Sequence, residues 1–183
     1  MKQLFSCLIF LIGSTLLTPP SHAGDFDIRE YSLKAVFLER FTRFIDWPDR
    51  SLSENRLNPF IISVVGNRQF SALLREIYQT QKIQGKKVII QDIDNSEGIK
   101  NSHILFISHI PEEALAEILA QVKNIPVLTI SDSNGFAEQG VMINFFMSKK
   151  QKIRFEINEL AIKESDLYIS YKLLSVAKIV GRE

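Results

Sequence analysis

Phe60-Ile61-Ile62-Ser63-Val64-Val65-Gly66-Asn67 is the stretch on which the reading of the fold turns. An apolar, β-favouring run closed by glycine and asparagine predicts a strand ending in a tight turn. The residues that follow place Phe70, Leu73, Leu74, Ile77 and Tyr78 on one face at helical spacing, so the unit reads strand, turn, helix. The same alternation continues downstream. Gly85 precedes a second strand at Lys86 to Ile93, and Ser102 to Ser108 gives a third whose run Ile104-Leu105-Phe106-Ile107 suits a strand covered on both faces. Pro111-Glu112-Glu113 opens a helix with the stripe Leu115, Ile118, Leu119 and Val122, and Val127 to Ser131 is a fourth strand. Alternating strands and helices predict an α/β domain with a mainly parallel central sheet and flanking helices.

Upstream, Glu30 to Ile45 carries Leu33, Val36, Phe37, Phe41, Phe44 and Ile45 at spacings of three and four, which predicts an amphipathic helix ended by Trp47-Pro48. Asp49 to Pro59 reads as a polar connection. Downstream, Val141 to Ser148 and Lys152 to Asn158 predict a hairpin joined by Lys149-Lys150-Gln151. Ile153, Phe155 and Ile157 alternate with Arg154 and Glu156, so this hairpin is expected as an antiparallel edge with one wet face. Leu173, Leu174, Ala177 and Val180 share helical spacing and predict a last helix over roughly Ser170 to Val180.

The first residues have the order of a secretory signal peptide: Lys2, an apolar run from Leu4 to Leu17, then Ser21-His22-Ala23 before Gly24. The expected organisation is a signal peptide over 1–23 and one periplasmic domain over 24–183, with no membrane insertion after cleavage. Cys7 lies inside the apolar run instead of at its end, which argues against a lipid-bearing cysteine. It is also the only cysteine, so no disulfide is expected in the mature domain. Loss of residues 1–23 removes Lys2 and no acid, leaving 21 basic and 21 acidic residues. That balance gives no electrostatic footprint for nucleic acid or an anionic membrane surface. A chain of about 160 residues buries roughly two-thirds of its unfolded surface, enough for a single core.

Residues able to carry chemistry are sparse. His103 and His109 lie six apart around a strand, about 20 Å from end to end, and cannot share a metal. With no cysteine and no His-x-His spacing, no metal or other cofactor is expected. Val65-Gly66-Asn67-Arg68 offers one glycine and falls short of a nucleotide fingerprint; a tight turn is the simpler reading, although open α/β sheets bind ligands at such strand ends. None of the serines, Ser108, Ser131, Ser133, Ser170 and Ser175 among them, sits in Gly-x-Ser-x-Gly, so no catalytic residue is assigned and the chain is not read as an enzyme. Asp132 and Glu156 would pair as carboxylates only if the fold joined them; the simpler expectation is that Asp132 caps the turn Ser131 to Gly135. Phe136 in that turn and Phe146 beside Phe145 are aromatic residues that either complete the core or face a partner.

Several segments in order resemble the YfiR family of exported regulators. Tyr31 to Leu38 with Phe44-Ile45-Asp46-Trp47-Pro48 is similar to its opening helix, and Phe60 to Gly66 to its first strand. Ser102-His103-Ile104-Leu105-Phe106-Ile107-Ser108 resembles its Cys-His-Ile-Leu-Phe-Ile run. Val127 to Asp132 with Gly135-Phe136-Ala137, Met142-Ile143-Asn144, Phe155-Glu156-Ile157-Asn158 with Ala161, and Ser170 to Leu174 complete the set. The resemblance implies a periplasmic protein that binds the periplasmic sensor domain of an inner-membrane diguanylate cyclase and represses it, lowering cyclic di-GMP and biofilm formation. It also implies that homodimers are open to the chain. Ser102 stands where the family has cysteine, so its disulfide-based redox control is not expected. Asp132, Phe136, Asn144, Glu156 and Asn158 are the candidate partner- or ligand-binding residues. The alternative is a periplasmic small-ligand sensor acting on a histidine kinase or another membrane partner, with a pocket near Asp132, Phe136 and Asn144 or at the Gly66 turn.

Overall fold

The computed structural model describes residues 27–48, 59–93 and 98–181. The expected signal peptide and most of the expected 49–59 connection lie outside the described residues. In chain order the elements are α1 (Ile28–Phe41), β1 (Ile45–Asp46), β2 (Phe60–Val65), α2 (Arg68–Tyr78), β3 (Lys82–Ile83), β4 (Lys86–Asp92), a 3-10 turn (Ile99–Asn101) and β5 (Ile104–Ile107). Then follow α3 (Glu112–Val122), β6 (Leu128–Ser131), β7 (Ile143–Met147), β8 (Ile153–Asn158), α4 (Glu159–Lys163), β9 (Tyr168–Ile169), α5 (Tyr171–Leu174) and β10 (Lys178–Val180).

Eight strands form one sheet in the order β10-β8-β7-β6-β5-β2-β4-β3, and β1 pairs with β9 separately. β2 is parallel to both β4 and β5, β5 to β6, and β6 to β7, whereas β8 runs antiparallel to β7. The expected mainly parallel α/β sheet with an antiparallel hairpin is therefore the fold. The chain leaves β2 for β4 on one side and returns to β5 on the other. The carboxyl ends of β2 and β5 thus flank the point where strand order reverses, the usual place for a site in an open α/β sheet.

Strand alternation splits the core into two layers. Phe60, Ile62, Val64, Ile104, Phe106, Leu128, Ile130, Ile143 and Phe145 face α1 and α2, and Val65, Leu105, Ile107 and Val127 face α3. α1 lays Tyr31, Ala35, Leu38 and Phe41 on the first layer, and its Phe37 and Phe41 rings meet Phe145 and Phe155 with centroids 5.0 to 6.0 Å apart. Asp27 caps α1 by accepting from the Arg29 and Glu30 amides, and Asn67 caps α2 by accepting from Phe70.

The structure corrects the sequence reading in four places. The inward stripe of α1 is Tyr31, Lys34, Ala35, Leu38 and Phe41, so Leu33 and Val36, expected on the apolar face, are exposed, and Lys34, expected among the polar residues between, is buried. α1 ends at Phe41, because the Phe44 amide turns back to the Phe41 carbonyl, and Ile45 then pairs with Ile169 as strand. The last helix is only the turn α5; Lys178 to Val180 becomes β10, whose register on Glu156 to Asn158 supplies hydrogen bonds that a lone helical stripe lacks. That strand makes β8 an interior strand, so Glu156 and Asn158 are buried instead of wet.

Candidate functional site

Position 34 lies on the inward stripe of α1 between Tyr31 and Leu38, yet it is a lysine with 3 % exposure. Burying an ammonium is costly unless it is paired. Its Nζ lies 2.7 Å from Asp132 Oδ2 and 2.6 Å from Glu30, and 4.1 Å from the Tyr31 ring centroid. Asp132, just past β6, accepts from Ser108 Oγ on its other oxygen at 2.7 Å. Ser108 follows β5 and is fully buried, and its Oγ is 2.5 Å from His109 Nδ1. With the serine hydroxyl donated to Asp132, the imidazole is the donor in that contact. His109 itself is exposed, holds φ +54°, and donates its amide to Ser133 Oγ at 3.2 Å. Burial, together with the Asp132 charge, pushes the Tyr31 phenol above its ordinary 10.0.

Asp132 therefore does not cap its turn. Ser131 Oγ accepts from the Ser133 amide instead, and the carboxylate reaches across to α1. The Ser108, His109 and Asp132 set has the wrong order for nucleophilic catalysis: the carboxylate holds the serine, not the imidazole, and the serine is buried. At the neighbouring β2 end, Gly66 has φ +81°, and an added Cβ there would lie 1.8 Å from the Ser108 carbonyl oxygen. The switch point is thus closed by backbone contact and plugged by the Lys34 ammonium.

The other candidates form a second group on the β7 and β8 strands. Asn144 and Glu156 are register partners, and Asn144 Nδ2 donates to Glu156 Oε1 at 3.3 Å. Lys178 donates to Glu156 Oε2 at 2.8 Å, and that hydrogen bond raises the Lys178 pKa. Asn144 Oδ1 is buried without a partner among the described residues. Asn158 donates to the Ala137 carbonyl at 2.7 Å and accepts from the Ala161 amide, capping α4. Phe136 is a core residue of the α3 layer, and Phe146 is half-buried, with Lys178 Nζ 5.7 Å from its ring centroid. Lys34 and Lys178 are the site residues missed from sequence. The sequence reading left Lys34 among the polar residues of the helix; the one signal that could have found it is the spacing Tyr31, Lys34, Leu38, Phe41, which defines the face that the fold buries.

His103 accepts from the Ile61 amide at 3.0 Å and stacks on Phe60, which makes it part of the sheet wall. Ser102 Oγ lies 2.6 Å from Ser63 Oγ in the interior. A cavity of about 330 Å³ opens between α3, α4 and the 137–142 segment, lined by Thr129, Met142, Asn158, Leu119, Glu138 and Glu164 among others. No group of three or more His, Cys, Asp or Glu among the described residues could hold a metal.

The fold and these sites define an open α/β protein whose central charged cluster is consumed in holding its own first helix. The chain belongs to the YfiR/HmsC-like family, whose pattern matches residues 31–178. That family is regulatory rather than catalytic and is one of periplasmic regulators of diguanylate cyclases. No curated protein matches the chain. No helix among the described residues is long and apolar enough to cross a membrane.

Proposed function

We propose that this chain, cleaved after Ala23 and released into the periplasm, binds the periplasmic sensor domain of an inner-membrane diguanylate cyclase and holds the cyclase inactive, lowering cyclic di-GMP and biofilm formation. Family membership over residues 31–178 carries the reading. The buried Lys34, Asp132 and Ser108 cluster supports it, since every member is spent on the fold and Ser108 has no access to a substrate. Deleting the gene is expected to raise cellular cyclic di-GMP and biofilm mass, with both restored by the wild-type chain and neither by a chain lacking residues 1–23. Unchanged cyclic di-GMP on deletion would sink the reading.

A second reading, a periplasmic small-ligand sensor acting on a kinase or other membrane partner, draws on the cavity beside Asn158 and Thr129. A thermal shift produced by a small molecule and abolished by Thr129→Leu would favour it. The two readings are compatible, because a ligand there offers a means of releasing the partner.

A further inference from the structure

Charge that cancels over the whole chain does not cancel everywhere on it. Residues 139–155 hold Lys149, Lys150, Lys152 and Arg154 and no acid. All four are exposed, and among the described residues none of their side chains makes an ion pair or a hydrogen bond. The turn that carries them needs none of them, because the Ser148 carbonyl accepts from the Gln151 amide and Ser148 Oγ accepts from the Lys152 amide. Glu156, the next acid along β8, is already held by Lys178, and the field of Glu138 falls on that same lysine. Lys178 is therefore left out of the count. The expectation that a neutral chain offers no footprint to an anionic surface holds for the total and does not extend to this hairpin.

The sheet presents the turn as a protruding tip. β6 stops at Ser131 opposite Asn144, and β10 begins only opposite Glu156, while β7 and β8 stay paired as far as Met147 and Ile153. The last three register pairs, Phe145 with Phe155, Phe146 with Arg154 and Met147 with Ile153, therefore run past both neighbouring strands. Strand alternation sends Met147 to one face of the tip and Phe146 to the other. Met147 is 49 % exposed and Phe146 is half-buried. Beside Phe146 a hollow of about 490 Å³ is lined by Arg154, Phe155 and residues 175–178, with Val176 62 % exposed and no acid among them. Apolar side chains on both faces, ringed by unpaired cations, decide the kind of surface that fits. A folded protein covers one face of a hairpin. A lipid headgroup layer surrounds a tip from every side, with phosphates for the cations and the acyl boundary for the apolar side chains.

We propose that the β7 and β8 hairpin adsorbs, tip first, to an anionic phospholipid surface, with Lys149, Lys150, Lys152 and Arg154 at the headgroup phosphates and Met147 and Phe146 at the acyl boundary. For an exported chain that surface is the inner membrane. The inference goes beyond the regulatory reading and does not rest on it. The test is co-sedimentation of the whole exported chain with vesicles of equimolar phosphatidylglycerol and phosphatidylethanolamine, against vesicles of phosphatidylcholine alone. The expected result at low salt is binding to the first and not to the second. Lys150→Gln should weaken that binding about fivefold, and Lys150→Gln with Lys152→Gln about twenty-five-fold, the ratios that correspond to about 1 kcal/mol per cation near an anionic surface. Lys87→Gln, which removes an exposed cation on β4 towards the other end of the sheet, should leave it unchanged. Met147→Ser should abolish the part of the binding that survives high salt, because salt screens the cations and not the apolar contact. Each substituted residue is exposed, so the fold is expected to stand, and circular dichroism verifies it. Absence of binding, equal binding to both kinds of vesicle, or binding indifferent to the two lysine substitutions overturns the proposal. Binding to soluble polyglutamate without binding to phosphatidylglycerol vesicles overturns the choice of a lipid surface.

Discussion

Lys34 sits in the interior because Asp132, Glu30 and the Tyr31 ring surround its ammonium within 2.6 to 4.1 Å. Taking one partner from a buried pair leaves an uncompensated charge, at about 3 to 5 kcal/mol. Lys34→Met is therefore expected to lower unfolding stability by about that amount in urea titration, and Asp132→Leu by a similar amount. Lys34→Met combined with Asp132→Leu should cost clearly less than the two singles added together. Strict additivity would show that the pair is not coupled. Tyr31 gives this cluster an alkaline signature. Its phenol is raised above 10.0 in the folded chain by burial and Asp132, and Tyr78 is raised by burial and Glu39. A raised folded pKa contributes stability that is fully present below the unfolded value of 10.0 and is lost as pH climbs above it. Stability should therefore decline above pH 10, and Tyr31→Phe should flatten that decline; an unchanged slope in the variant would remove Tyr31 as its source.

At the scale of elements, the join between β2, α2 and β5 depends on one residue without a side chain. Gly66 adopts φ +81° against the Ser108 carbonyl, the residue whose hydroxyl holds Asp132. Gly66→Ala combines a left-handed backbone with a Cβ directed into backbone oxygen, so its cost should exceed the roughly 1 kcal/mol typical of a left-handed alanine. The expected result is a large loss of stability with a lowered thermal midpoint. A midpoint within a degree of wild type would show that the β5 end yields easily. Much of this architecture was legible in sequence, because β2, α2, β4, β5, α3 and β6 each have a period set by local burial. The C-terminal strands were less legible. Leu173, Leu174, Ala177 and Val180 fit a helical period, but β10 is decided by its pairing with β8, over twenty residues earlier. The site was half legible for the same reason. Asp132 stood out as a turn acid, yet its partner Lys34 lies 98 residues away, where only the three-dimensional fold joins them.

For the whole molecule, the two core layers carry the stability that small exported domains often draw from disulfides. The sequence holds one cysteine, Cys7, and a single thiol cannot close a loop within its chain. Ser102, at the position where the sequence resemblance implies a cysteine, meets Ser63 with its hydroxyl at 2.6 Å between β5 and β2, so the position is filled by a hydrogen bond. We propose that the fold is independent of redox state. The thermal midpoint of the purified domain over residues 24–183 should be the same with and without dithiothreitol, and repression of cyclic di-GMP should be equally insensitive to periplasmic oxidants. Ser102→Cys supplies the family's residue without a second thiol to join it, so the variant should remain insensitive in both measurements. A midpoint of the domain that shifts with dithiothreitol would sink this prediction, because the described residues contain no thiol to oxidise.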